Sequence, residues 1–269
     1  MPYMEVNHLN IYYQVEGSGD APAVIFIGGL SGDHRTWARA CDSLKGSFKT
    51  ICFDNRDSGL SQRAWKPYSI LDMAKDTAGL LKSLDIQKAH VVGYSMGGAI
   101  AQELAISFPD IVDRLVLIAT YDMGDARGQA LFRGLALLRE QLDKEAYVRI
   151  TMPLIYSHKE YEAHGFIENA IKQLSEDDLF QEVAAYNRQM EATIAFNSRD
   201  RLRAISCPTL LLFGAEDVIT PQRFATEMVN NIEGSRLITF EGAGHGLVYT
   251  RMNQVVAITE QFLLEEYPG

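Results

Sequence analysis

Short apolar runs at residues 23–27, 50–53, 90–92, 115–119, 209–213 and 236–240 recur along the chain, each ending in glycine, aspartate or a polar turn. Longer stretches of helical periodicity lie between most of them, and this alternation is the sequence mark of a parallel sheet covered by helices. Residues 11–15 alternate as a further strand and are expected to form a hairpin with residues 4–8. Ser69-Ile70-Leu71-Asp72 is a capping box; Ile70, Met73, Ala74, Thr77, Leu80, Leu81 and Leu84 then follow at helical spacing as a crossover helix. Thr220-Pro221 predicts an N-cap with proline at the first helical position, and residues 255–264 a closing helix. One stretch breaks the rhythm. Residues 121–206 carry no strand pattern, whereas residues 130–142, 144–156, 165–174 and 178–196 have helical periodicity. Connections this long are rarely bare crossovers, so we read residues 121–206 as a helical insertion in a core formed by residues 1–120 and 207–269.

At about 150 residues per domain, 269 residues allow one large domain or one domain carrying an insertion. A composition of 47% hydrophobic and 22% charged residues excludes disorder, collagen-like repeats and coiled coil. Thirty-five acids against 25 bases give a net charge of -10, which repels phosphate and argues against nucleic acid or an anionic membrane as partner. Cys41, Cys52 and Cys207 are scattered, so neither a disulfide framework nor a zinc site is expected and a reducing compartment fits. Residues 1–17 lack the basic n-region and apolar core of a secretion signal, and no apolar run approaches the ~20 residues that cross a bilayer. The expected location is the cytoplasm, and the expected assembly a monomer or homodimer.

Gly93-Tyr94-Ser95-Met96-Gly97-Gly98 follows the run at 90–92 and opens a helical pattern that Pro109 closes. Strand, tight turn and helix are the context that a G-x-S-x-G nucleophile elbow requires. A strained turn holding a serine outward needs flanking residues without a Cβ, and Gly97, Gly98 and Ala99 let the helix approach its neighbouring strands. A serine hydroxyl is a weak nucleophile; it needs a histidine to take its proton and a carboxylate to orient that histidine. Asp217, in Gly214-Ala215-Glu216-Asp217, falls at the carboxyl end of a strand, where open parallel sheets gather their sites. His245, in Gly242-Ala243-Gly244-His245-Gly246, has small neighbours that leave its ring room to swing towards Ser95. Glu216 and Asp122 are the rival acids. Among the other histidines, His90 starts its strand at the wrong end of the sheet. His8, His158 and His164 fall on the hairpin or the insertion, while His34 stays open as a substrate contact.

The oxyanion of a tetrahedral intermediate needs donors aimed at it. The Met96 amide, at a helix N-terminus, is one candidate. The second is expected from Ile27-Gly28-Gly29-Leu30-Ser31-Gly32, where we choose the amide of Leu30; no lysine follows these glycines, so they do not form a phosphate loop.

Taken together and in order, these motifs resemble the α/β-hydrolase superfamily over essentially the whole chain, in the branch with a helical cap between strands six and seven. Gly28-Gly29 stands where that family usually has His-Gly, and Gly93–Gly97, Gly214–Pro221 and Gly242–His245 match its elbow, acid loop and histidine loop. Asp54-Asn55-Arg56-Asp57-Ser58-Gly59-Leu60-Ser61 is similar to the family's D-x-R-G-x-G-x-S turn, with Asp57 replacing the first glycine. That variant looks like one in esterases related to the anthracycline methylesterases. The turn is structural in the family, so Arg56 and Asp57 are expected to form a hydrogen-bonded corner. Residues 201–208 look similar to the corresponding stretch of 3-oxoadipate enol-lactonases and small carboxylesterases. The resemblance implies a mostly parallel eight-stranded sheet flanked by helices, with the cap inserted after strand six.

A serine at the elbow implies acyl transfer, since the dehalogenases and epoxide hydrolases of this fold use aspartate there. The expected reaction is hydrolysis of a small, moderately apolar carboxylic ester through an acyl-enzyme, with no metal or organic cofactor. Gly29, His34, Tyr94, Leu138, Tyr156, Val218 and Leu247 are the expected pocket lining. A small-molecule ester or lactone is the expected partner. A lactonase or a C–C bond hydrolase is the rival enzyme, and a receptor-like binding protein with a vestigial triad the rival of another class.

Overall fold

The computed structural model describes residues 2–17 and 19–265; Met1, Ser18 and residues 266–269 lie outside it, and with them the extreme ends of the expected core. β1 (Tyr3–Val6) and β2 (Leu9–Glu16) form the antiparallel hairpin. There follow β3 (Ala23–Ile27), α1 (Ala38–Leu44), β4 (Lys49–Phe53), α2 (Ile70–Ser83), β5 (Ala89–Tyr94), α3 (Met96–Ser107) and β6 (Val112–Ile118). The inserted segment holds α4 (Ala126–Gln141), α5 (Lys144–Ile155), α6 (His158–Glu162), α7 (Phe166–Ser175) and α8 (Val183–Ala195). The chain closes through β7 (Thr209–Gly214), α9 (Gln222–Asn231), β8 (Arg236–Phe240), α10 (Leu247–Thr250) and α11 (Met252–Leu264).

The eight strands are ordered β1-β2-β4-β3-β5-β6-β7-β8. β2 is antiparallel to β4, and every pairing from β4 across to β8 is parallel. A parallel strand covered on both faces must be apolar on both, and β3 shows how this works. Ile25 and Ile27 pack to one side with Met73 and Leu80 of α2 and Ile100 and Leu104 of α3. Val24 and Phe26 pack to the other with Cys41 and Leu44 of α1 and Val255 and Phe262 of α11. Since β3 lies between β4 and β5, the chain leaves β3 in one direction and crosses back over it after β4. The space beyond the carboxyl ends of β3 and β5 is therefore the topological switch point, where open α/β sheets place their ligand sites.

The capping box forms as predicted: Asp72 N donates to Ser69 Oγ at 3.2 Å and Ser69 N donates to the Asp72 carboxylate at 3.0 Å. In the inserted segment, Leu135, Tyr147, Tyr186, Met190 and Ile194 make one apolar cluster and Val148, Met152, Ile167 and Ile171 another. Met123 bridges Asn197, and Ser198 N donates to Asp122 O at 2.7 Å, so the segment leaves and re-enters the core at one neck. One expectation is corrected and one helix is additional. The helix expected over 178–196 starts only at Val183, because the preceding residues turn inward and bury Gln181. α6, with 5 residues, is too short to show a helical period in sequence and was not anticipated. Among the described residues, no helix is long and apolar enough to cross a membrane.

Candidate active site

Ser95 occupies the bend between β5 and α3 with φ 54° and ψ -119°, a left-handed backbone that a residue with a Cβ adopts only when its surroundings enforce it. Ser95 N donates to Ile118 O at 2.9 Å and Thr120 Oγ1 donates to Ser95 O at 2.7 Å, which ties the bend to the end of β6. Glycine is required at the crossing with β3. A Cβ on Gly97 would lie 2.2 Å from Ile27 O, so any larger residue would push α3 off the strand.

His245, in the loop after β8, is 3% exposed and faces both remaining groups. Its Nε2 is 3.0 Å from Ser95 Oγ, and its Nδ1 is 2.8 Å from Asp217 Oδ2. Asp217 is held from four directions: Oδ1 accepts the amides of Ile219 and Thr220, each at 2.8 Å, and Oδ2 accepts Thr220 Oγ1 at 2.6 Å besides His245. Burial pushes the Asp217 carboxyl upward, but the charge and hydrogen bond of His245 and the bonds from Thr220 outweigh it and hold the group below the usual carboxylate range. An ionised carboxylate only accepts, so in the neutral imidazole Nδ1 carries the proton and Nε2 turns its lone pair to the Ser95 hydroxyl.

Thr220 is the residue that sequence reasoning misassigned. Pro221 takes the N-cap position of α9, without a side-chain cap, and the Thr220 hydroxyl is spent on the carboxylate three residues earlier. A threonine that close to a candidate acid was the available signal. The rival acids are engaged elsewhere: Arg199 grips Asp122 at 2.6 and 3.2 Å, and Glu216 lies 2.6 Å from His158 Nδ1.

Met96 is the first residue of α3, so its amide has no carbonyl one turn back within the helix. Gly29 abuts the serine, since a Cβ there would lie 3.2 Å from Ser95 Cβ; this sets the loop carrying Leu30 against the Ser95 side chain. Asn55 Nδ2 anchors that loop by donating to Gly28 O at 3.0 Å.

The expected pocket residues separate. Tyr156 reaches the histidine loop from the inserted segment, its ring 2.9 Å from where a Gly246 Cβ would stand. Leu138 is half-buried against the same apolar cluster that packs on Leu30. Val218 is exposed, and its carbonyl accepts Arg127 Nη1 at 2.9 Å. Tyr94 is buried beneath the histidine, with ring centroids 5.2 Å apart and its hydroxyl donating to His245 O at 3.2 Å, so it props the loop. Two further pocket expectations fail. Leu247 is fully buried in the cluster shared with α1 and α11 and offers no surface to a ligand. His34 directs Nδ1 to Asp54 at 2.9 Å and packs on Tyr12; burial opposes charge on its ring, but Asp54 and Asp33 outweigh it and raise its pKa, giving it a structural partner instead of a substrate. Arg56 and Asp57 do not form a corner with each other: Arg56 binds Asp76 at 2.6 and 2.7 Å, and Asp57 binds Arg188 at 2.7 and 2.8 Å.

A family model described as alpha/beta hydrolase fold matches residues 22–251. The chain is 28% identical to "Putative carbamate hydrolase RutD" of Azorhizobium caulinodans, over 91% of each chain. It is 31% identical to "Putative non-heme bromoperoxidase BpoC" of Mycobacterium tuberculosis, covering 88% of this chain and 91% of that one. In three dimensions it is similar to the enol-lactonase of Burkholderia xenovorans, with a TM-score of 0.89 at 24% identity over 98% of this chain and 100% of that one; at that identity the likeness is one of fold. With the parallel sheet, the bend after β5 and the matched span all in agreement, the chain belongs to the α/β-hydrolase fold family.

Proposed function

We propose that this chain is a serine hydrolase that cleaves carboxylic esters of small to medium, moderately apolar substrates through an acyl-enzyme. The observation that carries the reading is the unbroken relay from Asp217 through His245 to Ser95, at 2.8 and 3.0 Å. In the proposed cycle the Ser95 proton passes to His245 Nε2 as Oγ bonds to the substrate carbonyl carbon. The carbonyl electron pair moves onto oxygen, where the Leu30 and Met96 amides receive it; one such donor is worth about 10²–10³ in kcat. Collapse expels the alcohol, which takes the proton from His245, and water then repeats the sequence on the acyl-enzyme to release the acid. No metal or organic cofactor enters these steps. Leu138, Tyr156 and Val218 are the proposed substrate contacts. Cys41, Cys52 and Cys207 are free thiols, which suits a reducing compartment such as the cytoplasm.

A carbamate is the second substrate class to weigh, because the relative from Azorhizobium caulinodans carries that name and a carbamate carbonyl is open to the same attack. Turnover of p-nitrophenyl acetate and butyrate, with Ser95→Ala as control, tests the mechanism. Loss of the serine is expected to lower kcat by up to ~10⁶-fold, and equal turnover in the variant would reject it. A panel of esters, lactones and carbamates assayed side by side ranks the substrate classes.

A further inference from the structure

The loop from Gly29 to Gly32 is a tight turn closed by Gly32 N donating to Gly29 O at 3.1 Å, and Ser31, at its third position, has φ 62°. Turns of this kind call for glycine there, because a side chain in the left-handed region costs roughly 1–2 kcal/mol. Serine relaxes most easily by reversing the Leu30–Ser31 peptide into the common turn with negative φ. That reversal would swing the Ser31 amide and the Leu30 carbonyl to the opposite side by rotation about the Leu30 Cα, the residue whose own amide is the proposed donor.

Two glutamines from the inserted segment oppose it. Gln189 Oε1 accepts the Ser31 amide at 3.2 Å, and Gln181 Oε1 accepts Ser31 Oγ at 2.7 Å. Both side chains are buried, and their amide nitrogens are spent on the turn at 54–61. Gln189 Nε2 donates to Arg56 O at 2.8 Å and Ser58 Oγ at 2.9 Å, and Gln181 Nε2 donates to Asp57 O at 2.8 Å. The turn is itself clamped to α8. Asp57, fully buried, accepts both arms of Arg188 together with Tyr68 Oη and Ala64 N at 2.8 Å each. The carboxylate that replaces the family's glycine is thus the anchor of the helix that carries Gln189.

We infer that Gln189 and Gln181 are positioning residues that hold Ser31 in its left-handed turn, so that the seating of the inserted helices on Asp57 sets the geometry of the oxyanion loop. The inference rests on the Leu30 amide serving as an oxyanion donor, as proposed above. The variant is Gln189→Met, which keeps the volume and loses both ends of the bridge. It is read by amide exchange at residues 28–32 and by kcat and KM on p-nitrophenyl butyrate. Exchange at Ser31 is expected to accelerate, and kcat to fall about tenfold at nearly constant KM, the rate equivalent of the left-handed cost. Adding Ser31→Gly is expected to restore most of kcat, because glycine holds the turn unaided; a purely structural loss would not respond. Should Gln189→Met fail to fold, Gln181→Met is read in the same way. Unchanged exchange in the variant, or a kcat loss that Ser31→Gly leaves in place, overturns the inference. Ester turnover that survives Ser95→Ala would instead overturn the proposed function, and the exchange measurement would still decide whether the glutamines hold the loop.

Discussion

Replacing Asp217 by asparagine separates the geometry of the relay from its proton arrangement. Two backbone amides converge on Oδ1. The new side chain must therefore keep its carbonyl oxygen there and place its NH2 where Oδ2 stood, facing His245 Nδ1 and Thr220 Oγ1. The threonine hydroxyl can rotate to accept. The imidazole can accept only by moving its own proton to Nε2, which then presents a donor to Ser95 Oγ across 3.0 Å, the reverse of what deprotonation requires. The fold survives while the base is lost, and kcat is expected to fall about 10⁴-fold, or roughly 5 kcal/mol of transition-state stabilisation. Steady-state hydrolysis of p-nitrophenyl butyrate, with melting temperature as control, measures it. A fall of less than about tenfold in a folded variant would mean that the carboxylate does not select the tautomer, and the relay argument would fail.

Further outcomes follow from the same structure. The folded Asp217 carboxyl lies below its ordinary range, so its stabilising effect is complete above the unfolded value near 3.9 and fades as pH falls through the lowered folded value. Urea denaturation of wild type and Asp217→Asn should therefore show a stability difference that shrinks as pH falls below about pH 4; a difference that grows as pH falls through that range contradicts this sign. Leu247→Ala should cost about 2–5 kcal/mol of stability and leave KM unchanged, whereas a KM shift without loss of stability would return Leu247 to the pocket.

Most of the sheet is legible in the sequence because each buried strand is a short apolar run stopped by glycine or a polar turn. The ends of β3 and β8 coincide with the predicted runs, and α2 begins where its capping box lies. The chain order of Ser95, Asp217 and His245 can be read for a similar reason, since each follows the carboxyl end of a parallel strand. Choices between distant partners cannot be read in this way. Arg56 and Asp57 are adjacent, yet one pairs with α2 and the other with α8, 131 positions away. The spacing of Thr220 from Asp217 permits a bond to the carboxylate as well as an N-cap, and the sequence alone does not choose between them; nothing local puts Leu247 beneath the sheet. These depend on which elements come together, and a periodicity carries no record of that.

The central claim is that a covalent ester forms on one serine. Mixing the protein with p-nitrophenyl butyrate, quenching in acid before the steady state and mapping peptides by mass spectrometry tests it most directly. A butyryl adduct on Ser95 is expected to accumulate and decay with turnover and to be absent from Ser95→Ala. Hydrolysis at full rate with the adduct on another residue, or with the label on Ser95 lasting unchanged through many turnovers, would contradict the claim.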